Sequence, residues 1–112
     1  MKTTDTFDFP TPYGATWHCR FAVSRYVSNG NLALTIKDAE DGEPLYTVTV
    51  NVGKLSDEMI AVKNYSENKG MDGFLKSIGI IRPKAVRMIR SGWVEIPVYE
   101  LTDSGKELFS GV

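Results

Sequence analysis

The sequence predicts an α+β fold: an antiparallel sheet of about five strands with one packed short helix and the cap chemistry for a C-terminal helical turn. Three observations predict it. Apolar and polar residues alternate along Trp17, Cys19, Phe21 and Val23, along Leu32, Leu34 and Ile36, and along Tyr46, Val48, Val50 and Val52, which is the period of half-buried strands. Asn29 and Gly30 stand between the first two runs and supply the positive backbone angles of a tight hairpin. Met71, Phe74, Leu75 and Ile78 recur at helical spacing.

Residues 1–14 hold Pro10, Pro12 and Gly14 among Phe7, Phe9 and Tyr13. The prolines fix the backbone and remove donors, so this is an extended arm or a short edge strand. Residues 15–112 read as a single α+β domain. A two-residue turn at Asn29-Gly30 would set Val27 opposite Leu32 and Val23 opposite Ile36. Arg25 interrupts the buried row and marks a bulge or an exit from the strand. Asp38 to Pro44 stops the second strand with turn chemistry.

Met59 to Lys63 is short enough to be a fourth strand. In the helix that follows, Gly79 stands where a left-handed residue ends it, letting Ile80 fold back onto Leu75. Gly70 and Gly73 weaken its start by roughly 1 kcal/mol each if interior, so the helix depends on docking. Residues 84–90 and 93–101 form a last hairpin around Ser91-Gly92, with Pro97 arguing for an edge strand or a bulge. Thr102-Asp103-Ser104 caps a final turn through Phe109.

At 112 residues, 42% hydrophobic and 24% charged, the chain has the composition of one globular domain. Its net charge of -1 argues against a strongly electrostatic nucleic-acid binder. Residues 1–58 carry five Lys/Arg against eight Asp/Glu, and residues 59–112 eight against six. Folding interleaves both halves, so this asymmetry decides little. One cysteine and one histidine are too few for a disulfide framework or a Cys/His zinc site. The apolar runs are too short to cross a bilayer, and the first residues lack the apolar stretch of a signal peptide. A reducing cytoplasmic setting is the expectation, with no membrane partner.

No catalytic set assembles, and the expectation is a protein that is not an enzyme, with no cofactor and no metal. His18 and Cys19 are neighbours on a strand and point to opposite faces, so one substrate cannot meet both. A helix–loop–helix calcium pattern read from Asp38 fails, with Gly42 at its fifth position, Glu43 at its sixth and Thr49 at its twelfth. The glycines at 70, 73 and 79 lack the spacing of a phosphate loop. Arg82, Lys84, Arg87 and Arg90 form the one basic cluster. With Trp93 and Tyr99 nearby it could contact phosphates, or it could be a charged edge that discourages strand pairing.

The segment from Phe74 to Ile81, the hairpin after it, and Leu101-Thr102-Asp103-Ser104-Gly105 resemble the end of winged-helix regulators. That likeness covers about the last third and implies a small nucleic-acid-binding regulator. The helix–turn–helix such proteins place before the wing falls here on strands.

A broader resemblance spans residues 31–101. It rests on Asn31 to Ile36 with the acidic turn Asp38 to Pro44, on Tyr46 to Val52, on Val62-Lys63-Asn64-Tyr65-Ser66-Glu67-Asn68-Lys69-Gly70, and on Ser91 to Val98. In order and spacing this is similar to a family of small uncharacterised proteins carried by bacterial phages, plasmids and conjugative elements. The resemblance implies a non-enzymatic accessory protein of a mobile genetic element. Such proteins are often binders of a host protein or complex, including restriction and CRISPR defence systems.

The residues expected to meet a partner are Asn64, Tyr65, Glu67 and Asn68 in the loop before the helix, and Arg87, Arg90 and Trp93 in the late hairpin. A polar loop with an aromatic, between strand and helix, is a usual place to present recognition residues. Capping of the helix by Ser66 or Asn68, with Tyr65 packed over its first turn, would use the same segment structurally.

Overall fold

The structure, a computed structural model, describes residues 2–10 and 14–112. Pro12 and Tyr13 of the N-terminal segment lie outside the described residues. Among those described, the fold is α+β and mostly antiparallel, as expected, but the strands divide into two sheets, of five strands and of three.

The longest strand, β3 (Thr16–Arg25), is the spine of the larger sheet. On one side it pairs with β1 (Lys2–Thr3) and β2 (Phe7–Pro10), and on the other with β4 (Leu32–Asp38), which pairs with β5 (Pro44–Thr47). The N-terminal segment is therefore the edge of the sheet over its described length. Thr4 joins its two short strands. Its backbone N–H donates to the Phe21 carbonyl and its hydroxyl accepts the Phe21 N–H, both at 3.0 Å. Phe9 is buried against Tyr46 and Phe74, with ring centroids 5.2 and 4.6 Å apart.

Cys19, Phe21, Val23, Leu34 and Ile36 are buried on one face of this sheet, as their alternation predicts. Trp17, the first of the same row, is 38% exposed, with its ring centroid 6.1 Å from that of Tyr46. The register of the first hairpin differs from expectation by two residues: Arg25 pairs with Leu32, Val23 with Leu34, and Phe21 with Ile36. The turn holds four residues. Tyr26 N–H donates to the Asn31 carbonyl at 2.9 Å, and Gly30 N–H to the Tyr26 carbonyl at 2.8 Å. Val27, expected in the buried row, is fully exposed at the tip.

The smaller sheet comprises β6 (Met59–Ala61), β8 (Val94–Glu100) and β7 (Arg87–Ser91), in that order. The chain links the sheets through residues 48–50. Val48 N–H donates to the Leu34 carbonyl, and its own carbonyl accepts from Lys63, while Val50 N–H donates to the Ala61 carbonyl. The alternating row from Tyr46 to Val52 thus leaves one sheet and joins the other.

Pro97 lies on the central strand, not at an edge. Its carbonyl accepts the Val62 N–H at 3.0 Å. Proline cannot return that bond, and β6 ends one residue earlier, at Ala61.

Helix α1 (Met71–Ser77) buries Met71 and Leu75 in the main core. Gly79 closes it with φ 76°. The Ile80 N–H then reaches the Leu75 carbonyl and the Gly79 N–H the Lys76 carbonyl, the paired bonds of a Schellman end. Helix α2 (Asp103–Leu108) is capped by the Thr102 hydroxyl, which accepts the Gly105 N–H at 3.1 Å. Strands β6 and β8 of the smaller sheet are buried on both faces, while β7 is mostly exposed. Ile60, Tyr99 and Leu101 enter the main core, and Ala61, Ile96 and Val98 form a second cluster with Leu55.

Candidate binding surface

The β7–β8 hairpin, with the residue before it, carries three of the six exposed large apolar side chains among the described residues, Val86, Met88 and Trp93. Its strands pair from Arg87–Val98 to Ser91–Val94, leaving Gly92 and Trp93 as a two-residue loop. Gly92 has φ 61°, so the positive angle falls at the first loop position, as a type II′ turn demands. The turn sits one residue later than the Ser91-Gly92 reading. That shift puts Trp93 at the tip with 98% of its surface exposed.

Beneath the tip, Ile89 and Val94 pack on the second core cluster and hold the hairpin down. Val86 and Met88 remain 45% and 52% exposed. Strand alternation puts Met88 and Arg90 on one face and Arg87 with Ile89 on the other. Arg90 lies opposite Glu95 in the ladder, and Arg82 meets Glu100 at 3.7 Å. The basic cluster is therefore divided between faces and partly matched by carboxylates. Val86 and Met88 are the surface residues that sequence reading missed. Their signal was present: two apolar side chains in a strongly basic strand.

The other expected contact segment is mostly inward. Asn68 is only 2% exposed, and its Nδ2 donates to the Thr47 carbonyl at 2.5 Å. This corrects its expected place on a contact surface. Asn64, half-buried, reaches Asp72 Oδ2 at 3.5 Å. Tyr65 packs on the second cluster, with Lys63 Nζ 5.7 Å from its ring centroid.

Glu67 is the exposed member and pairs with Lys63 at 2.5 Å. That hydrogen bond holds the Glu67 carboxyl below its ordinary pKa and Lys63 above its own. Neither Ser66 nor Asn68 caps α1. Its N-cap is Gly70 at φ 89°, with no side-chain bond, while Ser66, at φ 55°, opens a short 3₁₀ turn ending at Asn68.

His18 is exposed with Nδ1 3.2 Å from Asp8 Oδ1. Cys19 is buried and donates to the Trp17 carbonyl, and burial, with Asp38 and Asp8 nearby, pushes its thiol pKa up. A protonated, enclosed thiol is a poor nucleophile. The acidic turn spends its carboxylates on its own backbone: Asp38 accepts from Glu40 and Asp41, and Asp41 accepts from Glu43. Among the described residues no three His, Cys, Asp or Glu side chains form a metal-holding group, and no helix is long and apolar enough to cross a membrane.

Compared with family models, with curated proteins and with solved structures, the chain matches none.

Proposed function

We propose that this chain is a non-enzymatic protein-binding accessory protein of a mobile genetic element, an inhibitor of a bacterial host defence system such as restriction or CRISPR. The observation that carries protein binding is Trp93, almost fully exposed on a tight turn at the end of a strand that carries Arg87, Met88 and Arg90, with Val86 just before it. Tryptophan, methionine and arginine are the residues enriched at protein interfaces, and tryptophan and arginine dominate their energetic centres. A short type II′ loop on a packed hairpin holds the tryptophan with little ordering left to do on binding. The mobile-element context and the defence target rest on the resemblance over residues 31–101.

The test is capture of host proteins from a bacterial lysate by the native chain and by Trp93→Ala. A discrete host protein retained by the first and lost by the second is the expected result. The second reading, a nucleic-acid-binding regulator, draws on four cations between 82 and 90 and on the order helix, hairpin, capped helix. It predicts tight, salt-dependent DNA or RNA binding that Arg87→Ala with Arg90→Ala removes. Recovery of that binding, with no host protein captured, would replace the first reading.

A further inference from the structure

Strand β7, which leads to Trp93, leaves one edge of the smaller sheet open. In an antiparallel ladder, pairs that exchange hydrogen bonds alternate with pairs that do not. Pro97, opposite Met88, has no N–H, and its carbonyl accepts from Val62 on the far side of β8. Met88–Pro97 is therefore a non-bonded pair, and by alternation so is Arg90–Glu95. The N–H and C=O groups of Met88 and Arg90 accordingly point away from β8. Arg87, Met88, Arg90 and Ser91 are exposed, and the edge has no partner strand among the described residues. The other edges are less able to pair. β1 has two residues, β2 ends on Pro10, and β5 begins on Pro44 and gives its Thr47 carbonyl to Asn68. β6 is joined through the Ala61 carbonyl to Val50.

We propose that β7 receives an extended acidic segment of the partner protein as an added antiparallel strand. This rests on the reading of the hairpin as a protein-contact surface. Charge selects the occupant. Arg87 and Arg90 form no ion pair among the described residues, and Lys84 stands just before them, whereas Arg82 meets Glu100 at 3.7 Å. A second copy of β7 would set the arginines of both strands side by side, and like charges there repel. Carboxylates opposite Arg87 and Arg90 attract instead. An apolar residue opposite Met88 would cover its exposed side chain, and a β-branched residue suits the place opposite Ile89. Running antiparallel to β7, that pattern is Glu-Thr-Val-Glu.

The test is titration of the ¹⁵N-labelled chain with a synthetic peptide that has Glu-Thr-Val-Glu at its centre. The signals of residues 87–91 are expected to shift. N-methylation of the first glutamate and the valine, whose amides would face β7, should weaken binding about tenfold or more, and methylation of the other two amides should not. Lysine in place of both glutamates should also weaken it about tenfold. Met88→Pro takes an N–H from the open edge and none from the ladder with β8, so it should bind about tenfold more weakly than Met88→Ala, which keeps that N–H. If the proline variant fails to fold, the methylated peptides decide. No shift up to about 5 mM peptide, equal binding of the two methylated peptides, or shifts at 87–91 with a single-stranded oligonucleotide alone would overturn the proposal. A host protein captured through Trp93 without peptide binding keeps the contact surface and removes the added strand. Peptide binding without host capture does the reverse.

Discussion

Gly105 shows how much a single missing atom can decide. It packs against the Ile80 backbone so closely that a Cβ would overlap the Ile80 carbonyl oxygen, and it is not a left-handed residue. That carbonyl also accepts the Thr102 N–H at 3.0 Å, and the Thr102 hydroxyl donates to the Gly79 carbonyl at 2.6 Å. The Leu-Thr-x-x-Gly segment is thus a docking device: threonine caps the helix and clips it to the end of α1, and glycine allows the approach. Gly105→Ala is expected to lose about 1–3 kcal/mol in urea denaturation, although alanine is the better helix former.

Tyr99 ties α1 to the smaller sheet. Its hydroxyl donates to Asp72 Oδ2 at 2.8 Å, and Lys76 Nζ lies 4.9 Å from its ring centroid. Burial, then the Asp72 bond, raises its pKa. The folded state therefore holds the phenolic proton more tightly than the unfolded chain does. Its contribution to stability is complete below pH about 10 and is lost as pH rises through the folded pKa. Tyr99→Phe should cost about 1 kcal/mol at neutral pH and flatten the alkaline fall. Denaturant titrations at neutral pH and above pH about 10 would check both.

Elements were more legible than their joins. Both helices lie where spacing and caps put them, because glycine at 79 and threonine at 102 act locally. The first turn was misread because its partners are distant in sequence. Asn29 Nδ2 donates to the Val52 carbonyl at 2.7 Å, while buried Asn31 donates to the Val52 and Gly53 carbonyls and accepts the Leu55 N–H. These bonds pin a four-residue turn that local Asn-Gly propensity alone would close in two. The late hairpin carries the opposite lesson. A turn at Ser91-Gly92 would make Trp93, already an expected contact residue, the first residue of the second strand, but the requirement for glycine at the first loop position moves it to the tip. With no packing to lose there, Trp93→Ala should change unfolding free energy by less than about 0.5 kcal/mol.

At the scale of the molecule, the alternating rows announced a sheet but not its division. Val48 and Val50 continue one apolar row, yet the first serves the main core and the second the smaller cluster. Alternation says which face is buried, and it is silent about which neighbour buries it. The contact residues divided along the same line. In the 64–68 loop Asn64, Tyr65 and Asn68 carry inward hydrogen bonds and packing, which polarity alone does not reveal, while Glu67 stands exposed in its pair with Lys63. Arg87 and Arg90 stand on β7, whose outer side has no partner strand among the described residues, and Trp93 stands on the loop at its end. The hairpin thus exposes Trp93 at its tip, with Met88 and Arg90 on one face of its edge strand and Arg87 on the other.

The most direct test of this account is the affinity of the purified chain for the host protein it captures, measured for the native sequence and for Trp93→Ala after matching their stability. A truncated hot-spot tryptophan should cost about 2 kcal/mol or more, roughly a thirtyfold rise in Kd. An unchanged Kd in a folded Trp93→Ala variant would contradict the hairpin as the contact surface.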